Sequence, residues 1–478
     1  MAELVKSSGV EFGTSGARGL VAAMLPFLSY AYAAAFWQAV GSGNRVVLGH
    51  DLRPSSPGIA ASCAAAFRDL GVEVEYVGSL ATPAVAHYAI EAGVPAVIVT
   101  GSHIPFDRNG IKFYSADGEI TKANEQSILQ ASVEVPAEFA APPLPLPSSE
   151  AHNAYISRYV QFFGSRALEG KRIAIYEHSS VARDLLRIVL QRLGAEVLSL
   201  GRTDTFVPID TEAVRAEDVA QAAQWATENS FDAIVSTDGD ADRPLIGDEE
   251  GQWFRGDVVG VLCAKYLNAD VVATPVSSNT AVEKAGWFKQ VVRTRIGSPY
   301  VISAMDAASR AGSGNVVVGY EANGGFLLGS DVRLNGKYLS ALPTRDAMLP
   351  IIALLSMAKQ RQCKVSEIAL NLPQRFTHSD RLQSFSSEAS VALLAQLSKD
   401  IDSAADILAP DAGRVASLDE TDGMRVTFST GEIVHLRRSG NAPELRCYVE
   451  GDSQLRAKYL CDACLARILN LKEQLPPI

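Results

Sequence analysis

A pattern of apolar strand, helix and apolar strand, followed by a further strand, recurs three times along the chain and limits the fold more than any other feature. The predicted strands cover residues 45–49, 72–77, 96–99, 172–176, 195–200, 233–236, 270–274, 289–294 and 315–318. The predicted helices cover residues 60–70 and 182–193 and the segment after Asn279. Because apolar strands alternate with helices, we expect an α/β protein of three similar mixed α/β domains, with largely parallel sheets and right-handed crossovers.

The end of the chain departs from this repeat. Residues 423–428 and 432–437 predict a pair of strands, 446–450 another strand and 455–471 a closing helix, so we expect a separate C-terminal α+β domain. A segment rich in proline and alanine at residues 140–149 is typical of a linker. The predicted domains cover residues 1–150, 151–252, 253–370 and 371–478.

Charge and cysteine usage exclude several classes of protein. With 43 basic and 54 acidic residues the net charge is -11, which argues against nucleic acid as a partner. Six cysteines in 478 residues do not form a disulfide framework, and the N-terminal residues do not resemble a signal peptide, so we expect a cytoplasmic protein. The uncharged stretch Leu20–Asn44 is interrupted by Pro26 and Gly41, and it predicts a buried helix starting near Pro26 rather than a membrane span.

Polar side chains follow the last predicted strand of each repeat, where ligands bind in parallel sheets. In the first repeat Ser102 follows Gly101 at the strand end, where a tight turn can expose its hydroxyl. His103 and Lys112 could hold negative charge beside it. This arrangement suits a nucleophilic or phosphate-carrying serine, and the alternative is a strand-to-loop turn with an ordinary capping serine.

The second repeat ends in three aspartates, Asp238, Asp240 and Asp242, separated by small residues and followed by Arg243. Oxygen ligands in this spacing suit Mg²⁺ or Ca²⁺ rather than zinc, and Arg243 could bind a phosphate through two nitrogens. One alternative is a calcium loop of the EF-hand type, with Glu249 at its twelfth position, but that loop needs glycine where Arg243 stands. The other alternative is an acidic turn without a metal, which charge repulsion disfavours.

The two remaining motifs suit a phosphosugar. Glu321 and Asn323, flanked by glycines, could hold two neighbouring sugar hydroxyls, although a plain turn would show the same pattern. In the last domain the segment Arg437–Arg446 places arginines on both sides of a Ser-Gly-Asn turn, which can form a phosphate cradle or an ordinary basic turn. The glycine-rich loop Phe12–Gly19 has backbone amides that could face an anion.

Taken in order, the motifs resemble those of the α-D-phosphohexomutase superfamily, and within it the phosphomannomutase/phosphoglucomutase branch, over essentially the whole chain. The Thr100–Lys112 stretch resembles the phosphoserine loop, Asp238–Arg243 the metal loop, and Arg437–Pro443 the phosphate loop. The sugar loop of the family normally reads Gly-Glu-x-Ser-Gly-His. This chain departs from the family motifs at Ile104, Asn323, Gly325, Asn441 and Ala442. The changes in the sugar loop leave undecided which sugar is bound.

The resemblance implies roles for particular residues. Ser102 would carry a phosphoryl group and, with Asp238, Asp240 and Asp242, would surround Mg²⁺. The candidates for transition-state charge, proton transfer and charge balance are Arg243, Lys112, Arg18 and His103. The residues implied in substrate binding are Glu321, Asn323, Arg295, Gly297, Arg437, Ser439, Gly440, Asn441 and Arg446.

The resemblance also implies an isomerase that moves phosphate reversibly between the 6- and 1-positions of a hexose through a hexose 1,6-bisphosphate, which is intermediate and activator. Mannose 6-phosphate is the expected substrate, with glucose and glucosamine phosphates as alternatives. We expect a monomer or homodimer whose partner is the small hexose phosphate, with no role for a membrane. More distant alternatives are a metal-dependent sugar-phosphate phosphatase and a non-catalytic phosphosugar-binding protein.

Overall fold

The three repeats form three separate sheets, and the end of the chain forms a fourth. A computed structural model describes residues 1–13, 16–137, 141, 143–312, 314–439 and 444–474. Within these residues no helix combines the length and apolar character needed to cross a bilayer. The α/β class with a C-terminal α+β unit is confirmed.

The first unit has a sheet of order β1-β2-β6-β5-β3-β4, with β7 paired to β6. Its strands are β1 (Glu11–Phe12), β2 (Ala17–Leu20), β3 (Arg45–His50), β4 (Glu73–Ser79), β5 (Ala96–Val99), β6 (Arg108–Ser115) and β7 (Gly118–Glu119). Its helices are α1 (Ala2–Ser8), α2 (Val21–Met24), α3 (Phe27–Val40), α4 (Ser56–Asp69), α5 (Thr82–Ala92) and α6 (Lys122–Gln130).

The second unit has a smaller sheet of order β11-β10-β8-β9. Its strands are β8 (Arg172–Tyr176), β9 (Glu196–Leu200), β10 (Ala233–Thr237) and β11 (Pro244–Gly247). Its helices are α7 (Glu150–Phe163), α8 (Arg183–Arg192) and α9 (Ala216–Glu228).

The third unit has the order β13-β12-β14-β15-β18, beside a separate pair formed by β16 and β17. Its strands are β12 (Val271–Pro275), β13 (Gln290–Thr294), β14 (Val317–Tyr320), β15 (Phe326–Leu328), β16 (Val332–Leu334), β17 (Lys337–Leu339) and β18 (Leu342–Asp346). Its helices are α10 (Gly256–Tyr266), α11 (Ala281–Lys284), α12 (Ser298–Ala311) and α13 (Met348–Arg361), followed by a 3₁₀ turn (Val365–Glu367).

One topological element is common to all three units. A central strand, β3, β8 or β12, pairs in parallel with two neighbours, as the repeat predicted. The last of these strands then turns back into an antiparallel partner, β6, β11 or β15, which the sequence analysis did not predict. A strand as short as Pro244–Gly247 has too few residues to show a period. The polar motif of each repeat therefore lies in a short connection held by strands on both sides.

The C-terminal unit is an antiparallel sheet of order β19-β23-β22-β21-β20. Its strands are β19 (Phe376–Gln383), β20 (Val415–Asp419), β21 (Met424–Phe428), β22 (Ile433–Arg438) and β23 (Glu444–Gly451). Its helices are α14 (Ser387–Leu397), α15 (Ile401–Leu408) and α16 (Gln454–Gln474). The domain boundaries drawn from the sequence stay predictions.

The uncharged segment predicted to be a buried helix forms α3, directly after Pro26. Its residues 28–36 are buried, and Phe36 stacks on Phe113 of β6 with ring centroids 4.9 Å apart. Because α3 also packs against α4 and α6, apolar side chains are needed around most of its circumference, which explains the absence of charge.

The first three units share one continuous apolar core, which contains Ile98, Val235 and Val318 from their three sheets. The C-terminal unit has a core of its own, formed by residues such as Met424 and Leu460. The three repeats therefore form one block, and the last unit packs on it as a separate body.

Candidate active site

The turns that follow β5, β10 and β14 meet at one place, as expected for the carboxyl ends of strands. Ser102 Oγ donates to Asp238 Oδ2 over 2.6 Å, which joins the first two turns. A Cβ on Gly239 would lie 2.8 Å from the carbonyl oxygen of Ser102, so only glycine fits this approach of two backbones. The motifs of the first two repeats therefore form one site.

Ser102 lies in a strained turn. It is 1% exposed, and its φ of 49° lies in the left-handed region that non-glycine residues rarely adopt. Its amide donates to Thr100 Oγ1 over 2.8 Å, and its Oγ lies 3.2 Å from His103 Nδ1. The nearby guanidinium of Arg243 and burial hold the pKa of His103 well below its usual range, so the imidazole is neutral.

Arg53 and Asp51, which the sequence analysis did not assign to the site, fix this turn from behind. The buried guanidinium of Arg53 donates to the carbonyl oxygens of Ser102 and Ile104 and lies 4.0 Å from the ring centroid of Phe206. Asp51 Oδ2 accepts from the amide of Gly101 over 3.1 Å. The strained turn is thus stabilised by charged groups inside the protein rather than by solvent.

The three aspartates form a compact buried cluster. One carboxylate oxygen from each of Asp238, Asp240 and Asp242 lies within 4.8 Å of the others. Asp240 Oδ1 and Asp242 Oδ1 accept no hydrogen bond within the described part of the chain, although both are buried. Buried carboxylate oxygens that accept no hydrogen bond fit a hard divalent cation such as Mg²⁺. Glu249, the EF-hand alternative's last ligand, instead accepts from Ser366.

Lys112 contacts the aspartates rather than the serine. Its Nζ lies 2.7 Å from Asp240 Oδ2 and 2.6 Å from Asp242 Oδ2. The sequence analysis placed its charge beside Ser102, and that role stays a prediction; the β5–β6 pairing sets Lys112 opposite Ile98, and its ammonium contacts two carboxylates of the aspartate cluster. Lys112 is therefore the counter-ion of the cluster.

The pKa values in the cluster diverge. Burial, together with Asp240 and Asp242, raises the pKa of Asp238 well above its usual value. Burial also opposes ionisation of Asp242, but Arg345 and Lys112 hold the pKa of that carboxyl below its usual range. Burial and the two neighbouring carboxylates thus disfavour ionisation of Asp238, the carboxyl that contacts Ser102.

A cavity of about 280 Å³ opens beside these turns and is lined by all four units. Its acidic residues are Asp210, Glu212, Glu321 and Asp380. Its six arginines are Arg18, Arg243, Arg345, Arg381, Arg437 and Arg446. Because the arginines outnumber the acids, the cavity suits an anion, and its acids can accept hydrogen bonds from hydroxyl groups.

The structure brings most of the predicted substrate residues to this cavity. Glu321 and Asn323 line it, as do Ser439 and the two predicted arginines of the C-terminal unit. Arg295 and Gly297 flank Ile296, which lines the cavity, but neither of the two lines it. The guanidinium of Arg295 lies over the Tyr300 ring instead. Gly440 and Asn441 lie outside the described residues.

Several cavity residues were missed by sequence reasoning. Asp210 and Glu212 lie in the segment after β9, and Thr211 between them donates to the carbonyl oxygen of Asn323 over 2.6 Å. Arg345 is the penultimate residue of β18 and contacts both Asp242 and Glu321. None of these residues belongs to a compact motif, so the sequence offered no signal beyond a charge at a strand end or in a loop.

A buried serine beside a carboxylate cluster, with an arginine-lined cavity, defines an enzyme of phosphoryl transfer. The chain matches four families described as phosphoglucomutase/phosphomannomutase: alpha/beta/alpha domain I over residues 9–136, domain II over 153–251, domain III over 255–376, and the C-terminal domain over 389–466.

Known proteins agree with this match. The chain is 48% identical to a phosphomannomutase of Salmonella muenchen, over 98% of this chain and 97% of the relative. It is 45% identical to a phosphomannomutase of Sinorhizobium fredii, over 97% and 99%. The X-ray structure of a phosphoglucomutase/phosphomannomutase family protein from Burkholderia thailandensis has the same fold, with a TM-score of 0.74, 20% identity and coverage of 96% and 97%. The chain belongs to the phosphoglucomutase/phosphomannomutase family of the α-D-phosphohexomutases, and it is an isomerase.

Proposed function

We propose that the protein is a phosphomannomutase that interconverts mannose 6-phosphate and mannose 1-phosphate, with Ser102 as the phosphoryl carrier. The observation that carries the proposal is the 2.6 Å contact of Ser102 Oγ with Asp238, beside a cavity that Arg437 and Arg446 also line. Mannose is favoured because the two relatives cited above are named phosphomannomutases.

The reaction proceeds in two transfers. A hydroxyl of the bound hexose monophosphate attacks the phosphorus of phospho-Ser102, the bond from phosphorus to Oγ breaks, and a hexose 1,6-bisphosphate forms. After the bisphosphate reverses its orientation, Ser102 Oγ attacks the other phosphate and regains a phosphoryl group. His103 is the candidate for proton exchange that contacts the reacting oxygen, since Lys112 is held by two carboxylates and Arg18 only lines the cavity.

The aspartate cluster and Ser102 would hold Mg²⁺, which when bound supplies positive charge to the transferring phosphoryl group. Arg243 lines the cavity beside the cluster and would share this role. Glu321 and Asn323 would accept from ring hydroxyls in both orientations of the sugar. Arg437, Ser439 and Arg446 would hold the phosphate that is not reacting, together with the predicted residues Gly440, Asn441, Arg295 and Gly297.

The experiment is a comparison of substrates. The protein, with Mg²⁺ and a trace of hexose 1,6-bisphosphate, is given the 6-phosphates of mannose, glucose and glucosamine in turn, and ³¹P NMR follows the products. We expect mannose 1-phosphate to form fastest. Release of inorganic phosphate would favour a phosphatase, and binding without any conversion would favour a phosphosugar-binding protein.

A further inference from the structure

Arg345 lies at the centre of the candidate site although no sequence motif contains it. It is 3% exposed, and its two terminal nitrogens contact carboxylates from two different units. We propose that Arg345 is a positioning residue, which fixes the Glu321 carboxylate for a sugar hydroxyl by tying it to the metal loop through Asp242. The inference rests on the proposed function, since it names the residue that orients a sugar-binding group.

The geometry of the guanidinium supports this role. One nitrogen of Arg345 lies 3.1 Å from Glu321 Oε2, and the other lies 2.8 Å from Asp242 Oδ2. Within the described residues, the bond from Arg345 is the hydrogen bond that the Glu321 carboxylate accepts. Glu321 also lines the cavity. Because the guanidinium is planar and rigid, fixing one nitrogen on Asp242 also fixes the direction of the other.

Gly325 provides the space that Arg345 needs. A Cβ on Gly325 would lie 2.7 Å from Cδ and 2.9 Å from Cγ of Arg345, closer than such atoms approach. The stem of Arg345 thus fills the space that any side chain at position 325 would need. The position of Arg345 therefore depends on glycine at position 325, because any side chain there would displace the arginine stem.

The backbone of Arg345 is fixed by its neighbour. Asp346 accepts from the hydroxyl groups of Tyr155 and Tyr159, both on α7 of the second unit, and from the amide of Met348. All four of these residues are buried. The arginine thus projects from a rigid point between two units, which is what a positioning residue requires.

The test uses binding rather than turnover. In a Ser102→Ala background without metal, calorimetry measures the affinity of mannose 1-phosphate and of inorganic phosphate for Gly325→Ala, Arg345→Ala and the double variant. We expect each single change to weaken mannose 1-phosphate binding by about 10- to 100-fold, the range of a charged hydrogen bond, and to leave phosphate binding unchanged. The double variant should bind no more weakly than Arg345→Ala, because removing the arginine stem removes both contacts under 3.0 Å and leaves Asn323 Oδ1, at 3.1 Å, as the nearest neighbour of the added methyl.

Three results would overturn the inference: unchanged mannose 1-phosphate affinity, additive losses in the double variant, or an equal loss for phosphate, which would make Arg345 a general anion binder. Gly325→Ala keeps the charge of Arg345, so it decides the matter even if Arg345→Ala does not fold. The exposed Arg333→Ala of the same unit is the matched control and should change neither affinity. Failure of the wild type to convert any hexose phosphate would instead reject the proposed function.

Discussion

The two halves of the candidate site are held in opposite ways. Ser102 and the three aspartates are at most 1% exposed, and the turns that carry them belong to units with a shared core. The side chains of Arg437 and Arg446 are 16% and 32% exposed, and they belong to a unit with its own core. The residues of the proposed chemistry thus lie in one block with a shared core, whereas part of the proposed phosphate binding lies on a separate body.

The interface between the first three units and the C-terminal unit is formed in part by polar contacts. Glu450 of β23 accepts from the amide of Thr280 over 2.9 Å and also pairs with Arg375. Asp422 accepts from the amide of Ile296 and from Arg437, both over 2.9 Å. Such contacts exchange with water more easily than an apolar interface, so we expect the C-terminal unit to close over the substrate as a mobile clamp.

The largest effect should come from the rigid half. Ser102→Ala removes the phosphoryl carrier, so we expect mutase activity to fall by at least about 10⁴-fold, as when a nucleophile is removed. Intact-mass measurement should show a phosphate on the wild type that this variant lacks, while the exposed Ser127→Ala keeps it. A phosphate that persists in Ser102→Ala would place the carrier elsewhere.

Asp240→Asn tests the cluster with a smaller change. Asp240 accepts from Thr82 Oγ1 over 2.6 Å and pairs with Lys112, so the neutral amide weakens both this network and metal binding. We expect kcat to fall by about 10²- to 10³-fold and the Mg²⁺ concentration for half-maximal activity to rise. The exposed Asp204→Asn is the control. Full turnover by the EDTA-treated wild type would contradict the metal site.

Arg437→Ala tests the mobile half. The loss of one charged hydrogen bond to phosphate should raise KM by about 10- to 100-fold, spare phosphorylation of Ser102 and release more free bisphosphate. Its neighbour Arg438 donates to Ser387 Oγ and does not line the cavity, which makes Arg438→Ala the matched control. If KM is unchanged and no bisphosphate is released, Arg437 lies outside the functional site.

Glu450→Gln tests the interface between the C-terminal unit and the first three units. Breaking this buried pair should destabilise the packing of the C-terminal unit by about 3 kcal/mol. The four tryptophans, Trp37, Trp225, Trp253 and Trp287, all belong to the first three units, so their fluorescence midpoint in urea should stay constant. Hydrogen exchange in β21–β23 should accelerate, and the exposed Glu388→Gln should leave it unchanged. A shift of both signals together would mean that the two bodies unfold as one.

The smallest effect is a dependence on pH. Burial lowers the pKa of His435 in the C-terminal unit, and of His178 in the block, from 6.5 to about 4. The unfolded chain therefore binds protons more readily below pH 6.5, and stability falls as the pH falls towards 4. Between pH 7.5 and 5.5 His435 alone should cost about 1.4 kcal/mol. Urea titrations at both pH values should show this pH dependence reduced in His435→Asn, with His152→Asn, at a half-buried position of α7, as the control.

Much of the architecture could be predicted from the sequence. The strands at Ala96–Val99 and Arg172–Tyr176 have the predicted bounds, because short buried strands show as apolar runs that stop at turn residues. The helix after Asn279 is only four residues long, and the sequence analysis did not predict the following helices: α1, α2, α5, α6, α7, α9, α10, α12, α13, α14 and α15. The turns of Ser102 and of the aspartates were found because each motif is contiguous and its chemistry lies within a few residues.

The sequence by itself determined the candidates for the chemistry, Ser102 and the three aspartates, while the tertiary structure decided how charged side chains are paired around them. Lys112 contacts Asp240 across 128 positions, and Arg345 joins Asp242 to Glu321, although neither partnership leaves a local trace. Local patterns report burial and backbone conformation, which depend on near neighbours. Ion pairs between units depend on the packing of whole sheets, because only that packing brings distant strand ends to within 3 Å and removes the water between them.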